Sequence, residues 1–406
     1  MKINRGYRFK LAPTDAQKAR MERHARVCRL VYNLALEQRR DHHRQFRRAT
    51  GKHISYASQA AELTELRAEF DWIREVTQTC QQQALRDLDR AYLNFFSGIA
   101  DYPGFRRKGV NESFRFQGRE VTFRRLNKSW GMAKFPKIGE VRFRWTRDIP
   151  GKLKNVTVGL DPLGWHVSFA TEQEIEVVAR LGPAVGVDRG VVEPVAYSDG
   201  TFAAFPKERV KALERRTREA ARGLAKCRKG SNRRKVAKAR VAALRARMAR
   251  VRKHFNHVET ARLARTFGVV CLEALRIGNM TATAKGTVEE PGKNVAQKAG
   301  LNRSILEIGW FQFHLFLAYK MAAAGGEIRL VSAAHTSTTC SCCGTNDKTN
   351  RKSQAVYECA GCGSAMNADT NAAVNILLAG TRPAKAKRPR AASRRASRLE
   401  ASAQAA

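Results

Sequence analysis

The chain has 406 residues, 43% of them hydrophobic, which is enough for two or three domains with sizeable cores. Its 76 Lys and Arg against 36 Asp and Glu give a net charge of +40, which favours nucleic acid as partner over a membrane surface. The N-terminus lacks a signal-peptide pattern and no apolar stretch of about 18 residues occurs, so we expect a cytoplasmic protein without a membrane partner.

The first half of the chain is predicted to be a basic β-module with helices inserted near its beginning. Residues 7–11, YRFKL, alternate apolar and basic side chains, which is typical of a strand with one cationic face. Thr14 and Gln17 form a capping-box signature for a helix, and a second helix is predicted over roughly 77–97. Between residues 102 and 170, aromatics alternate with Arg and Lys. This pattern favours nucleic-acid binding, although half-exposed strands of any protein can have it.

A different domain is predicted to begin near residue 181. The apolar strand in "AVGVDRG" ends at Asp188, and two more strands, "PVAYSDG" and "TFAAFP", are joined through Asp199 and Gly200. A long helical stretch follows over 207–253, with 20 Lys or Arg and three Glu. Such a charge run can be a solvated surface, but its density predicts contact with a phosphate backbone.

The last third of the chain alternates strands and helices. An apolar strand ends at Glu273, and residues 281–300 are predicted to be a loop. "SILEIGWFQFHLFLAYKMAAAGG" predicts one helix closed by Gly325 and Gly326, and "EIRLVSA" predicts a fifth strand. "ADTNAAVNILLAG" predicts a final helix, and residues 381–406 a basic tail that is disordered until bound.

Four cysteines, Cys340, Cys343, Cys359 and Cys362, have the spacing C-x2-C-x15-C-x2-C, and a glycine follows each pair. Two such knuckles supply four thiolates for a tetrahedral Zn²⁺. Cys342 is an alternative to Cys343 as ligand, although the spacing and the following glycine favour Cys343. Four thiolates leave no open coordination position, so the predicted zinc is structural.

Three acids, Asp188, Glu273 and Asp369, stand where the predicted strands end or the last helix begins. Asp188 alone could be a turn residue, and Asp369 alone could be a helix N-cap. Together they match an RNase H-like layout, in which such positions converge at one edge of the sheet. Three carboxylates suit two Mg²⁺ ions about 3.5–4 Å apart, which can activate water and stabilise a leaving oxygen in phosphodiester hydrolysis.

The sequence resembles the TnpB family, encoded by bacterial insertion-sequence transposons and similar to the ancestor of type V CRISPR effectors. The resemblance rests on "YRFKLAPTDAQ…RLVYNLAL", "LDRAYLNFF…PGFRRKG", "GVDRG", "LEALRIGNM", "TSTTCSCCG", "YECAGCG" and "NADTNAAVNIL". It covers nearly the whole chain except the tail. One departure is Asn367, where many relatives have an acid.

The resemblance implies an α+β multidomain fold. Residues 1–180 would form a wedge-like β-barrel with a helical recognition insert at about 14–100. Residues 181–335 and 364–380 would form an RNase H-like (RuvC) α/β nuclease domain, interrupted by the zinc ribbon at 336–363.

The function that the resemblance implies is RNA-guided DNA endonuclease activity in a bacterial or archaeal cell. The partners would be a guide RNA from the transposon end and double-stranded target DNA. The family's catalytic, Mg²⁺-binding acids fall on Asp188, Glu273 and Asp369, and its Zn²⁺ ligands fall on the four cysteines. The alternatives are a guided DNA-binding regulator that does not cut and a strand-transferring transposase.

Overall fold

The computed structural model describes residues 1–46, 51, 53–287 and 289–382. The chain divides into two compact units. The first unit comprises Met1–Glu176 and Val210–Met248, and the second comprises Val177–Arg209 and Ala249–Ala406. Residues 383–406 of the predicted basic tail lie outside the described residues. None of the helices in the described ranges combines the length and the apolar character that a membrane crossing needs.

Seven antiparallel strands form one sheet in the first unit: β1 (Lys2–Ala12), β2 (Ser113–Gln117), β3 (Thr122–Arg125), β4 (Trp130–Phe135), β5 (Gly139–Arg144), β6 (Lys152–Asp161) and β7 (Gly164–Glu174). Their order is β2-β6-β7-β1-β5-β4-β3. β1 is central because it pairs with both β7 and β5. The predicted strand at 7–11 is confirmed.

In the described residues between β1 and β2, where two helices were predicted, there are four: α1 (Asp15–Gln45), α2 (Tyr56–Glu69), α3 (Asp71–Arg74) and α4 (Gln78–Phe96). The capping box of Thr14 and Gln17 starts α1. The sheet and these helices share one core, in which Phe9 lies with ring centroids 5.3 Å from Phe143 and 5.9 Å from Phe169. Inward aromatics therefore hold the sheet, while the basic residues between them face outward.

The sheet of the second unit has four strands: β8 (Ala184–Asp188), β9 (Ala196–Tyr197), β10 (Val269–Glu273) and β11 (Glu327–Val331). Their order is β11-β10-β8-β9, with β10 parallel to both β8 and β11 and with β9 antiparallel to β8. The predicted strands that end at Asp188 and Glu273 are confirmed, and so is the strand predicted in "EIRLVSA". "TFAAFP" was expected to be a strand but forms a single bridge from Phe202 to Ala196, because the backbone leaves the sheet before Pro206.

Six helices complete the described part of the chain: α5 (Lys207–Ala225), α6 (Asn232–Thr266), α7 (Ile277–Met280), α8 (Val295–Ile308), α9 (Trp310–Ala324) and α10 (Ala368–Thr381). Two predictions are wrong here. The end of the predicted loop at 281–300 belongs to α8, and the single helix expected before Gly325 is two helices. Gly309 separates them with a φ of 77°, a left-handed conformation that only glycine adopts without strain. Gly325 ends α9 as predicted.

Candidate active site and cysteine cluster

Two neighbouring parallel strands bring Asp188 and Glu273 side by side. The last paired residues of β8 and β10 are Val187 and Leu272, and each acid is the next residue on its strand. Both of these paired residues are fully buried. Burial of the apolar run fixes the register, so the two carboxylates emerge together at the carboxyl edge of the sheet, where α/β folds bind ligands.

The third acid, Asp369, reaches the same edge because α10 packs unusually close to β8. A Cβ atom at Gly186 would lie 2.0 Å from the backbone oxygen of Ala373, so only glycine permits this contact. A Cβ atom at Gly190, two residues after Asp188, would lie 3.7 Å from Asp369 Oδ2. The structure therefore brings the three predicted acids together in the second unit.

Asn367 begins α10 and orients its first turn. Its side-chain oxygen accepts hydrogen bonds from the backbone N–H groups of Asp369 (2.9 Å) and Thr370 (3.3 Å). The alternative that Asp369 is the N-cap is therefore wrong, because Asn367 occupies that position. The departure noted at residue 367 thus has a structural role, and the Asp369 carboxylate is left for other partners.

The electrostatics of the three acids are those of carboxylates held together in a partly buried place. Burial raises the pKa of Asp188 to about 7, and the nearby carboxylates of Glu273 and Asp369 add to the shift. Burial also raises the pKa of Asp369, and Glu193 contributes in the same direction, while Arg351 opposes both. A divalent cation would relieve this repulsion, which makes the arrangement suitable for metal binding.

Three polar residues that the sequence analysis missed surround the acids. Thr336 donates a hydrogen bond of 2.6 Å from Oγ1 to Glu273 Oε1, and Arg351 donates one of 3.2 Å to Asp369 Oδ1. Arg189 is buried and donates a 2.5 Å hydrogen bond to the backbone oxygen of Glu273. Arg189 could have been suspected from its place beside Asp188, whereas no sequence signal connects Thr336 or Arg351 with the acids.

Magnesium fits this donor set because it prefers carboxylate oxygens and keeps several water ligands. Within the described ranges, the sulfur atoms of the four cysteines all lie within 4.8 Å of one another, whereas the carboxylate oxygens of the three acids do not. A pair of cations, each shared by some of the carboxylates, suits this wider spacing better than one fully enclosed ion.

The four predicted cysteines form a compact cluster. The ligand atoms of Cys340, Cys343, Cys359 and Cys362 all lie within 4.8 Å of one another. The sulfur atoms are 3.7 Å apart between Cys340 and Cys362, and 3.6 Å apart between Cys343 and Cys359. Tetrahedral zinc with Zn–S bonds of about 2.3 Å needs sulfurs about 3.8 Å apart. The cluster therefore fits Zn²⁺, and it contains Cys343 rather than Cys342.

The cysteine segment is joined to α10 by two asparagines one helical turn apart. Asn371 is fully buried, accepts a hydrogen bond from the Ser341 N–H (3.0 Å) and donates to the Thr339 carbonyl (2.9 Å). Asn375 donates to the carbonyls of Thr339 (2.7 Å) and Thr336 (3.0 Å). A short hairpin of β12 (Val356–Glu358) and β13 (Ala365–Asn367) then leads into α10. The first cysteine knuckle thus contacts the helix that carries Asp369.

Three family profiles match the chain. A profile described as "Probable transposase" matches residues 166–284, one described as "Cas12f1-like, TNB domain" matches 310–376, and one described as "Helix-turn-helix domain" matches 1–48. The described part of the last range forms β1 and the single helix α1. The second profile spans the cysteine cluster and most of α10.

Two relatives of known description are similar to this chain over almost their whole length. The "Putative RNA-guided DNA endonuclease InsQ" of Escherichia coli K12 is 36% identical over 94% of this chain and 93% of its own. A "Putative RNA-guided DNA endonuclease" of Streptomyces pristinaespiralis is 32% identical over 93% and 90%. Among solved structures, a Cas12f1–sgRNA–target DNA complex aligns with a TM-score of 0.56 at 14% identity, covering 89% of this chain and 82% of Cas12f1. This structural likeness establishes a shared fold.

Proposed function

The chain belongs to the TnpB family, and on that premise we propose that it is an RNA-guided DNA endonuclease with one Mg²⁺-dependent active site. Its substrate is double-stranded DNA selected by pairing with a guide RNA, and its reaction is phosphodiester hydrolysis. Residues 1–180 are the wedge-like module with its helical recognition insert. Residues 181–335 and 364–380 are a RuvC-type nuclease domain, interrupted by the zinc ribbon at 336–363. The protein works in the cytoplasm of a bacterial or archaeal cell.

The observation that carries this proposal is the meeting of Asp188, Glu273 and Asp369. They are far apart in the sequence, yet two adjacent strand ends and one helix start bring them to one edge of the sheet. Burial raises the pKa of Asp188 and the carboxylates of Glu273 and Asp369 add to the shift, so ionising all three acids is unfavourable unless a cation balances their charge. A merely structural role would not require three carboxylates to share one partly buried place.

The residues around the three acids have different roles in the proposed hydrolysis. Mg²⁺, when bound at these acids, would supply an activated water and would stabilise the leaving 3′-oxygen. Asp188, Glu273 and Asp369 hold the ions, and Thr336 orients the Glu273 carboxylate through its hydrogen bond. Arg351 places a positive charge beside Asp369, where it can pair with a phosphate oxygen of the DNA strand.

The RNA partner is supported by a basic aromatic face on the outer side of β3, β4 and β5. Trp130 lies opposite Arg144 in the ladder, and the guanidinium carbon of Arg144 lies 4.1 Å from the centre of the indole ring. The guanidinium carbon of Arg142, also on β5, lies 5.5 Å from the centre of the same indole ring. Both arginines are exposed. An aromatic ring flanked by guanidinium groups offers unpaired bases a stacking platform and offers phosphates a counter-charge.

The test uses the protein purified with its copurifying RNA. That RNA is sequenced, a plasmid carrying its complement is built with varied flanking sequences, and cleavage is measured with Mg²⁺. We expect both strands to be cut, Asp188→Ala to abolish cutting, and RNA binding to be unchanged. Full cutting by the Asp188→Ala protein would remove Asp188 from the mechanism.

Two other functions remain as outcomes of the same experiment. An intact plasmid that is bound at the guide-matched site would indicate a regulator that does not cut. Joined transposon and target ends would indicate strand transfer. The presence of all three acids favours hydrolysis over a regulator that does not cut. Their order, Asp, Glu, Asp, differs from the Asp, Asp, Glu order that is common in strand-transferring transposases.

A further inference from the structure

The pairing of β8 with β10 stops just before the two acids. Val187 and Leu272 are the last matched residues of that ladder, whereas Asp188 pairs with Ala196 of β9 and Glu273 pairs with Val331 of β11. The register therefore does not pair the two acids with each other. The next residue, Arg189, links the two strand ends, because its Nη2 donates a 2.5 Å hydrogen bond to the backbone oxygen of Glu273. One side chain therefore joins the ends of both acid-bearing strands.

Arg189 is an unusual residue for this place. It is 5% exposed, and its Nε atom is buried without a hydrogen-bond partner. Burying a guanidinium group is costly unless nearby charges balance it. The carboxylates of Glu273 and Asp188 provide that balance at longer range. Burial lowers the pKa of His314, on α9, and the charge of Arg189 adds to that shift.

We propose that Arg189 is a positioning residue that fixes the separation of Asp188 and Glu273 by linking the end of β8 to the backbone of Glu273 at the end of β10. This inference rests on the proposed metal-dependent function of the same acids. Arg189 donates to a backbone carbonyl, so it acts on the position of the strand end rather than on the substrate. Its positive charge also allows two carboxylates to lie side by side before a cation binds.

A positioning role differs from a purely structural role in what it changes. A structural arginine affects stability alone, whereas a positioning arginine affects the affinity of the acids for divalent cations. Partners that orient metal ligands typically contribute 10–100-fold in metal affinity or activity. A measurement of cation binding can therefore distinguish the two roles of Arg189, and no DNA cleavage assay is needed for it.

The experiment compares Arg189→Met, Arg189→Gln and Arg189→Lys with the wild-type protein and its copurified RNA. Binding of Mn²⁺ is measured by electron paramagnetic resonance, with thermal melting as the check of folding. The Mg²⁺ concentration for half-maximal cleavage is measured in parallel. Arg262→Met is the matched control, because Arg262 belongs to the same unit and pairs with Glu259 at 2.5 Å.

We expect the Met and Gln variants to bind Mn²⁺ 10–100-fold more weakly, the Lys variant to recover most of the loss, and Arg262→Met to stay within about twofold of wild type. Wild-type Mn²⁺ affinity in a folded Met or Gln variant would overturn the proposal. Loss of folding in both would assign Arg189 to stability and also overturn it. A wild-type protein that binds Mn²⁺ but cuts no DNA would instead refute the endonuclease, leaving the Arg189 comparison valid.

Discussion

Replacement of Gly186 by alanine tests how Asp369 is placed. The new Cβ atom would lie 2.0 Å from the backbone oxygen of Ala373 and 2.7 Å from the backbone nitrogen of Leu377. An ordinary contact begins near 3.4 Å, so α10 must move away from β8 by about 1.4 Å (3.4 minus 2.0). Both opposing atoms belong to the backbone, so no side-chain rotation can relieve the overlap.

The displacement should reduce cleavage more than stability. Overpacking of this kind costs roughly 1–3 kcal/mol of the free energy of unfolding. A misplacement of about 1 Å in a catalytic group can cost about 100-fold in rate. We therefore expect single-turnover cleavage of a guide-matched duplex at saturating Mg²⁺ to fall by about 100-fold, while RNA still copurifies.

Gly300→Ala is the matched control, because Gly300 lies in α8 of the same unit and a Cβ atom there meets nothing within 4 Å. This variant should cut at the wild-type rate. Cleavage at the wild-type rate by Gly186→Ala as well would refute the reasoning, since it would mean that the position of α10 does not govern the active site.

Three further predictions concern the cations and the RNA. Cys343→Ser should lose the single zinc per chain, measured by inductively coupled plasma mass spectrometry, whereas Cys342→Ser should keep it. The pKa of Asp188 is raised to about 7 and a protonated acid cannot bind a cation. The Mg²⁺ concentration for half-maximal cleavage should therefore rise as the pH falls, by up to about tenfold per unit below 7. Trp130→Ala combined with Arg144→Ala should weaken RNA binding and lower the slope of log affinity against log salt, measured by filter binding, by about 0.7 for each phosphate that the protein no longer neutralises.

Each of these predictions has an outcome that contradicts it. Zinc retained by Cys343→Ser would assign the fourth ligand elsewhere. A half-maximal Mg²⁺ concentration that stays constant between pH 6 and 8 would mean that ionisation of Asp188 does not limit cation binding. An unchanged salt slope in the double variant would remove the outer face of β3, β4 and β5 from the RNA interface. Arg23→Ala removes one helical arginine that pairs with an acid, and serves as the charge-matched control for that variant.

Local patterns in the sequence predict the acid-bearing strands well. The buried runs ending at Asp188 and Glu273 are short, apolar and β-branched, so their type and end points follow from burial alone. The cysteine cluster is similarly local, because its spacing encodes two knuckles. Sequence spacing left Cys342 open as an alternative to Cys343, and the structure places Cys343 in the cluster.

Features that depend on tertiary contacts could not be predicted in the same way. "EIGWFQ" has the apolar character of one continuous helix, yet Gly309 adopts a left-handed conformation and separates α8 from α9. A Cβ atom there would lie 3.5 Å from Asn256 Nδ2 of α6, which shows that the break lies against a distant helix. The contact between Arg351 and Asp369 could not be predicted for the same reason, because only the fold of the cysteine segment brings the two residues together.

The central claim is that Asp188, Glu273 and Asp369 hold the catalytic cations, and an anomalous-scattering experiment on crystals of the protein containing Mn²⁺ tests it most directly. The account predicts manganese peaks between the three carboxylates, with ligand oxygens at about 2.1 Å, the distance expected of magnesium. Manganese found elsewhere, with the three carboxylates left to the solvent, would contradict it.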